Sequence, residues 1–221
     1  MKDIFVVTHT QSQHHVDGLV GGWHDTPLTD SGRADAQRIA AHLRAVADSA
    51  AQPEIFTSDL MRAAQTASIF ADAFAPCTPL AMPDLREISY GRAEGKPQQW
   101  LDERLTPAPD DNRLDHRYAI AGAETRREFA TRIYRAMDGI IARPAELQII
   151  VTHGFALTFV VAAWIGMPLE AAGFVNFTVP SGSVTHLRQD DYWRNRAVIS
   201  LGDVSFLALG DSATRSRPPS A

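Results

Sequence analysis

The stretch LQIIV at residues 147–151 most constrains this chain, because it is an apolar run too short for a helix standing between two helical patterns. Ahead of it, residues 124–141 place Phe129, Ile133, Met137, Ile140 and Ile141 on one side, and behind it GFALTFVVAAWIG reads as a further helix. A strand without polar alternation is covered on both faces, as happens when helices cross over a parallel sheet. The same grammar opens the chain. DIFVV reads as a buried strand, and a helix follows Thr29 or Asp30 with Ala36, Ile39, Ala40 and Leu43 on one face. EIFTS is a second strand leading into a helix that repeats Leu60, Ala63, Ala67, Phe70 and Phe74, with Pro76 and Pro79 to stop it. Residues 84–122, rich in Pro, Asp, Gly and Arg, predict a long excursion with at most a short helix, and FVNFTV, SVTHLRQ and RAVISLG predict three closing strands. Strands alternating with helices imply an α/β fold, a three-layer α/β/α sandwich around a mostly parallel sheet. Residues 1–210 are expected to form one domain, and DSATRSRPPSA, residues 211–221, has the composition of a disordered tail.

In such sheets ligands sit at the carboxyl ends of the strands. Three chemically suggestive stretches fall there: His9 after IFVVT, Arg62 in TSDLMRAAQT after EIF, and His153 in THG after QIIV. An arginine offers a planar fork of donors and an imidazole can donate or accept a proton, so the three together suit a dianion such as a phosphoryl group. One histidine could attack phosphorus while the other offsets charge.

Charge and length narrow the partners. A net charge of −5 over 221 residues supplies no bulk positive field for nucleic acid or an anionic membrane. No run reaches the roughly 18 apolar residues of a membrane span, and MKDIFVV is too weakly apolar for a signal peptide. One cysteine, Cys77, precludes an intramolecular disulfide and suits a reducing compartment. The expectation is a cytoplasmic protein acting on a small phosphorylated substrate, with a homodimer left open.

The motifs resemble those of the histidine phosphatase superfamily, also called phosphoglycerate mutase-like. THTQSQHH stands where that family has R-H-G-[EQ]-[TS]-x-x-N, and GGWHDTPLTDSGRADAQRIAAHL is similar to its G-x-x-D-x-P-L-T-x-x-G segment. IFTSDLMRAAQTASIFA, DLREISYGRAEGK, GAETRREFATRI and IIVTHGFAL resemble its remaining motifs in the family's order, over residues 4–187. The resemblance implies that His9 is the phosphate-accepting nucleophile, Glu87 the general acid, His153 the second histidine on the phosphoryl oxygens and Arg62 a phosphate clamp. Thr8, Thr10, Ser12, His15, Gly22, Trp23 and Gly154 are the further phosphate- or substrate-binding positions, and Asp59 and Glu124 are structural. Three positions depart from the pattern: Thr8 replaces an arginine, Thr10 a glycine and His15 an asparagine.

The reading is a phosphatase that hydrolyses a small phosphate monoester through a phosphohistidine, without metal or cofactor. A phosphoglycerate mutase is the alternative, for which Arg104, Arg113 and Arg117 could grip a carboxylate, and a non-catalytic phospho-ligand binder is the other. His14, His15 and His24 also invite a metal-site reading. Adjacent histidines point in different directions and no Cys or Glu stands at ligand spacing, so a polar rim is preferred, one whose charge when protonated could replace the missing arginine.

Overall fold

Successive side chains of the first strand point to opposite faces, and both faces are covered. In the computed structural model, which describes residues 1–47, 52–74 and 77–210, Ile4 and Val6 of β1 (Lys2–Thr8) join one buried cluster while Phe5 and Val7 join another. The first cluster is completed by α5 (Arg126–Ile141) and α6 (Gly154–Trp164), the second by α2 (Asp30–Val46) and α3 (Met61–Phe74). Each large apolar side chain so buried contributes about 1.5–3 kcal/mol before the entropy of ordering is set against it. The three-layer α/β/α architecture expected from the alternation is therefore present.

The sheet has six strands in the order β3-β2-β4-β1-β5-β6, with β2 at Glu54–Thr57, β3 at Leu80–Ala81, β4 at Leu147–Thr152, β5 at Val184–Gln189 and β6 at Arg196–Asp203. β1, β2, β3 and β4 run parallel, whereas β5 is antiparallel to β1 and β6 to β5. The four parallel strands deliver the segments that follow them to one edge. Because β5 runs the other way, the loop that precedes it arrives at that same edge.

Caps set the helix starts. The Thr29 hydroxyl accepts from Gly32 N to open α2, and Thr125 and Glu128 exchange side-chain and backbone hydrogen bonds to open α5. α5 thus starts two residues later than the apolar pattern from residue 124 suggests. Gly32 is required where it stands, since a Cβ there would lie 2.0 Å from Gln11 O. Residues 84–122 form an excursion of turns with one short α-helix, α4 (Gln98–Asp102).

The structure corrects one expected strand. FVNFTV is not in the sheet: Phe177 N donates to Thr158 Oγ1 of α6 at 3.0 Å, and the segment lies along that helix without a ladder partner. It helps cover α6, which explains why that helix is apolar almost all round. A short α1 (Gln13–Asp17) also forms, which no apolar period announces. Among the described residues no helix is long and apolar enough to cross a membrane. Pro76 and the tail at residues 211–221 lie outside the described residues.

Candidate active site

His9, Arg62, His153 and Glu87 follow β1, β2, β4 and β3, so all four stand at the carboxyl edge of the parallel strands. Three of them, His9, Arg62 and Glu87, line a cavity of about 310 Å³ whose wall also includes His15, whereas His153 packs against His9 and is not in that wall.

His9 is 6% exposed and held at both ring nitrogens. Nδ1 lies 2.8 Å from Thr10 O, so it carries the proton, and Nε2 accepts from Arg62 Nε at 3.1 Å. The outcome is a neutral imidazole with its lone pair on Nε2, facing the arginine. Burial holds His9 well below the usual imidazole pKa, and the Arg62 charge pushes it further down.

Arg62 is 1% exposed and its plane is fixed from the other side, with Nη1 donating to His24 O at 3.0 Å and Nη2 to Gly22 O at 2.7 Å. Gly22 has φ +52° and would bring a Cβ within 3.0 Å of the Glu94 carboxylate, so only glycine suits that turn. Three of the five N–H donors are used, which leaves two for a ligand.

His153, the residue before α6, is 1% exposed and sits edge-on to His9 with ring centroids 5.0 Å apart. Neither of its ring nitrogens has a hydrogen-bond partner. Burial holds its pKa well below the ordinary value, and charge on Arg62 and then on His9 would push it further down. An unsatisfied buried polar group costs about 1–3 kcal/mol, a cost that a native site retains for a reason.

Glu87 is gripped by backbone. Oε1 accepts from Ile88 N at 2.9 Å and Oε2 from Phe155 N at 3.0 Å, at the first turn of α6. Burial raises its pKa above the usual carboxylate value, against the opposing pull of those two N–H groups and of Arg62 and Arg132. Its own carbonyl accepts from Trp23 Nε1 at 2.8 Å and Arg132 Nη2 at 2.7 Å, so Trp23 positions the acid from outside the cavity. Arg132 also donates to Asp84 O, Arg86 O and both oxygens of Glu124, and the Arg86–Asp59 pair closes the same loop with two bonds of 2.6 Å. Asp59 and Glu124 thus pair with arginines that hold this loop and do not line the cavity. Arg132 escaped the sequence reading because its partners come from the folded excursion.

The three atypical positions behave differently from one another. Thr8 reaches the cavity wall, but its one hydroxyl proton goes to Pro180 O at 2.9 Å while its oxygen accepts from Ser183 N at 3.1 Å. Thr10 turns away from the cavity and donates to Gly32 O at 2.7 Å, and it is not among the residues with positive φ. The β-branched residue therefore costs the backbone nothing there. His15 stacks on His9 at 5.4 Å with 15° between the rings. Its Nδ1 accepts a long bond of 3.4 Å from Ser12 N, which leaves Nε2–H as a donor on the cavity wall.

Ser12 lies beneath the wall and bonds the Nδ1 of His14 at 3.1 Å, and Thr26 bonds the same nitrogen at 2.7 Å. Burial pushes His14 down to about 3 and lowers His15 as well, so neither supplies positive charge at neutral pH. Among the described residues no group of three or more His, Cys, Asp or Glu side chains is arranged to hold a metal ion. Gly154 lines the wall with open space where a Cβ would stand.

The sequence reading missed Leu19, Gly21, Tyr90, Gln98, Val179 and Ser181, which also line the wall. Ser181 Oγ donates to His9 O at 2.7 Å. The signal for it was the direction of β5, since an antiparallel neighbour of β1 starts where β1 ends. Arg104, Arg113 and Arg117 do not reach this wall, and each pairs with an acid close by: Glu103, Asp110 and Glu128.

Comparison with known proteins bears on the family and the fold. A family model described as histidine phosphatase superfamily (branch 1) matches residues 4–199. The "Probable phosphoglycerate mutase GpmB" of Proteus mirabilis (strain HI4320) is 29% identical over 217 residues, covering 94% of this chain and 95% of that one. Among solved structures, Bacillus stearothermophilus YhfR superposes with a TM-score of 0.73 at 29% identity, covering 94% of this chain and all (100%) of the other. The alpha-ribazole phosphatase from Shigella flexneri shares the fold, with a TM-score of 0.73 at 24% identity over 91% of this chain and 96% of its own.

Proposed function

The chain belongs to the histidine phosphatase superfamily, branch 1, and on that premise we propose that it is a phosphatase that hydrolyses a small phosphate monoester through a phosphohistidine on His9. The observation that carries the proposal is the tautomer of His9. With its proton held on Nδ1 by Thr10 O, Nε2 presents a lone pair beside Arg62 and the unpartnered His153.

In the first step the Nε2 lone pair forms a bond to phosphorus as the ester P–O bond breaks. The departing oxygen takes a proton from the Glu87 carboxyl group, whose proton-bound form burial favours. In the second, the Glu87 carboxylate removes a proton from water, the water oxygen bonds phosphorus, and the N–P bond breaks with its electrons returning to Nε2. Inorganic phosphate leaves, and His9 and Glu87 regain their starting states. The free N–H donors of Arg62, with His153 and His15 Nε2–H, offset charge on the phosphoryl oxygens.

Hydrolysis is favoured over mutase action by the cavity wall. A phosphoglycerate mutase must also hold a carboxylate directly against the phosphoryl group, and Arg62 is the one arginine or lysine in the wall of the cavity at His9 among the described residues, Arg126 standing only in the adjoining, mostly apolar cavity. The test is to mix the protein with a phosphate monoester and quench in alkali. An alkali-stable, acid-labile phosphoryl group on the chain, absent in His9→Ala, is expected together with loss of turnover. Wild-type turnover by His9→Ala would refute the assignment.

A further inference from the structure

A second cavity of about 380 Å³ opens beside the first and shares Tyr90, Gly154 and Val179 with it. Its wall differs in kind: Ile88, Leu105, Phe155, Phe177 and the rings of Tyr90 and Tyr118 face it, and Arg126 is its one charged residue. It is of a size to take a ring, and pockets of this sort pair an apolar lining with a few placed polar groups.

Arg126 is held in place. Nε donates to Tyr118 Oη at 2.9 Å, Nη1 donates to Gly173 O at 2.8 Å, and the guanidinium lies 5.2 Å from the centre of the Phe155 ring. Nη2 bonds nothing among the described residues. Tyr118, the residue that fixes Nε, has φ +55°, and Ala119 follows at +59°. Two consecutive non-glycine residues in the left-handed region mark a loop held by its surroundings, as is common beside ligands. The fold thus spends strain to set an aromatic ring and an arginine at this wall.

We infer that this second cavity is the leaving-group subsite, and that it selects monoesters whose alcohol portion is a flat apolar ring carrying a hydrogen-bond acceptor, an anionic one above all, for Arg126 Nη2. The inference rests on the phosphatase reading for its orientation. The phosphoryl group lies at His9, and the ester oxygen points past Tyr90 and Gly154 toward Phe155, on the side where Glu87 meets Phe155 N. A compact polar alcohol would leave the aromatic wall unfilled, whereas a ring would cover it and exclude water from Tyr90 and Phe177.

The experiment compares benzyl phosphate, 4-carboxybenzyl phosphate and glycerol 3-phosphate, all with alkoxide leaving groups, so that leaving-group reactivity does not decide the order. We expect kcat/KM to rise at least about tenfold from glycerol 3-phosphate to benzyl phosphate, within the range one apolar pocket contact supplies, and again to 4-carboxybenzyl phosphate. Phe177→Ala should shrink the first ratio, and Arg126→Met should remove the second. Equal kcat/KM on all three esters, or a preference for glycerol 3-phosphate, overturns the subsite and leaves the phosphatase reading standing. Binding of benzylphosphonate against methylphosphonate, measured by calorimetry, tests the subsite apart from turnover. Tighter binding of benzylphosphonate supports it even if no ester is hydrolysed, and equal binding overturns it.

Discussion

Thr8→Arg is the substitution on which the reading of the phosphate pocket can be put at risk. Thr8 ends β1 at the cavity wall, where the resemblance calls for an arginine, yet its hydroxyl proton is already given to Pro180 O and its oxygen takes Ser183 N. Removing that hydroxyl breaks two hydrogen bonds worth about 0.5–1.5 kcal/mol each, so stability should fall by about 1–3 kcal/mol. The loss is softened because Ser183 N also lies 3.3 Å from Pro180 O. For a chain of this size that is a drop in Tm of roughly 2–12 °C. Against it stands a charge-assisted donor at the phosphoryl group, and one such donor is worth on the order of a hundredfold to a thousandfold in rate. A gain of at least about tenfold in kcat/KM on a generic monoester is expected, a part of that range because the arginine must enter a buried position with no preformed partner. Thr8→Val separates the two effects: it should lose a similar amount of stability and gain nothing in rate. Saturating inorganic phosphate should recover Tm in Thr8→Arg more than in Thr8→Val, since a ligand at about a hundred times its Kd adds about 2.7 kcal/mol. A folded Thr8→Arg protein with unchanged activity and unchanged phosphate affinity would show that position 8 does not face the phosphoryl group, and the pocket assignment would fall.

Two further outcomes follow from the same geometry. Glu87→Gln keeps an acceptor for Phe155 N but cannot give up a proton, so kcat/KM on an alkyl phosphate should fall about 10²–10⁴-fold, and much less on a nitrophenyl phosphate whose leaving group needs no acid. The wild-type alkyl profile should also fall as pH rises through the raised Glu87 pKa, and Glu87→Gln should abolish that alkaline limb; equal losses on both esters would exclude Glu87 as the acid. His9 and His153 are held neutral well below their unfolded pKa of about 6.5, so the unfolded state binds protons that the native state refuses. Their contribution is full above that value and is lost as pH falls toward the folded pKa values, at up to about 1.4 kcal/mol per pH unit for each. Denaturant titrations at pH 7 and pH 5 should show that loss, and His153→Phe should flatten it; a slope unaltered by the substitution would contradict the neutral, buried ring.

What the sequence disclosed and what it withheld divide along a physical line. α2, α3 and α5 were legible because apolar periodicity, and for α2 the Thr29 cap, decide them, and β1, β4 and α6 because unbroken apolar runs of strand or helix length mark elements covered on every side. His9, Arg62 and His153 were legible because parallel strands end on one edge. FVNFTV misled because Val175, Phe177 and Val179 alternate as in a strand yet pack on the core beside α6, and only the buried Thr158 hydroxyl reveals which. β3 is two exposed residues, too short to leave a pattern. Ser181, Tyr90 and Arg132 act through contacts made only after the excursion and the loop before β5 fold back.

Arg62 does more in this site than neutralise phosphate. Its Nε–H occupies the His9 lone pair, so the cation whose charge adds to burial in keeping His9 unprotonated also covers the nitrogen proposed to attack. A dianion bound at the remaining N–H donors competes for that cation, which weakens its hold on Nε2 and its depressing field together. On the proposed phosphohistidine chemistry, a phosphoryl group at those donors would free the Nε2 lone pair that is to attack it. Gly22 O and His24 O hold the other side of the guanidinium, so the exchange requires the Nε–His9 bond to yield and the plane to stay. This division of labour needs no charge on His14 or His15, and it is consistent with burial keeping both of them neutral.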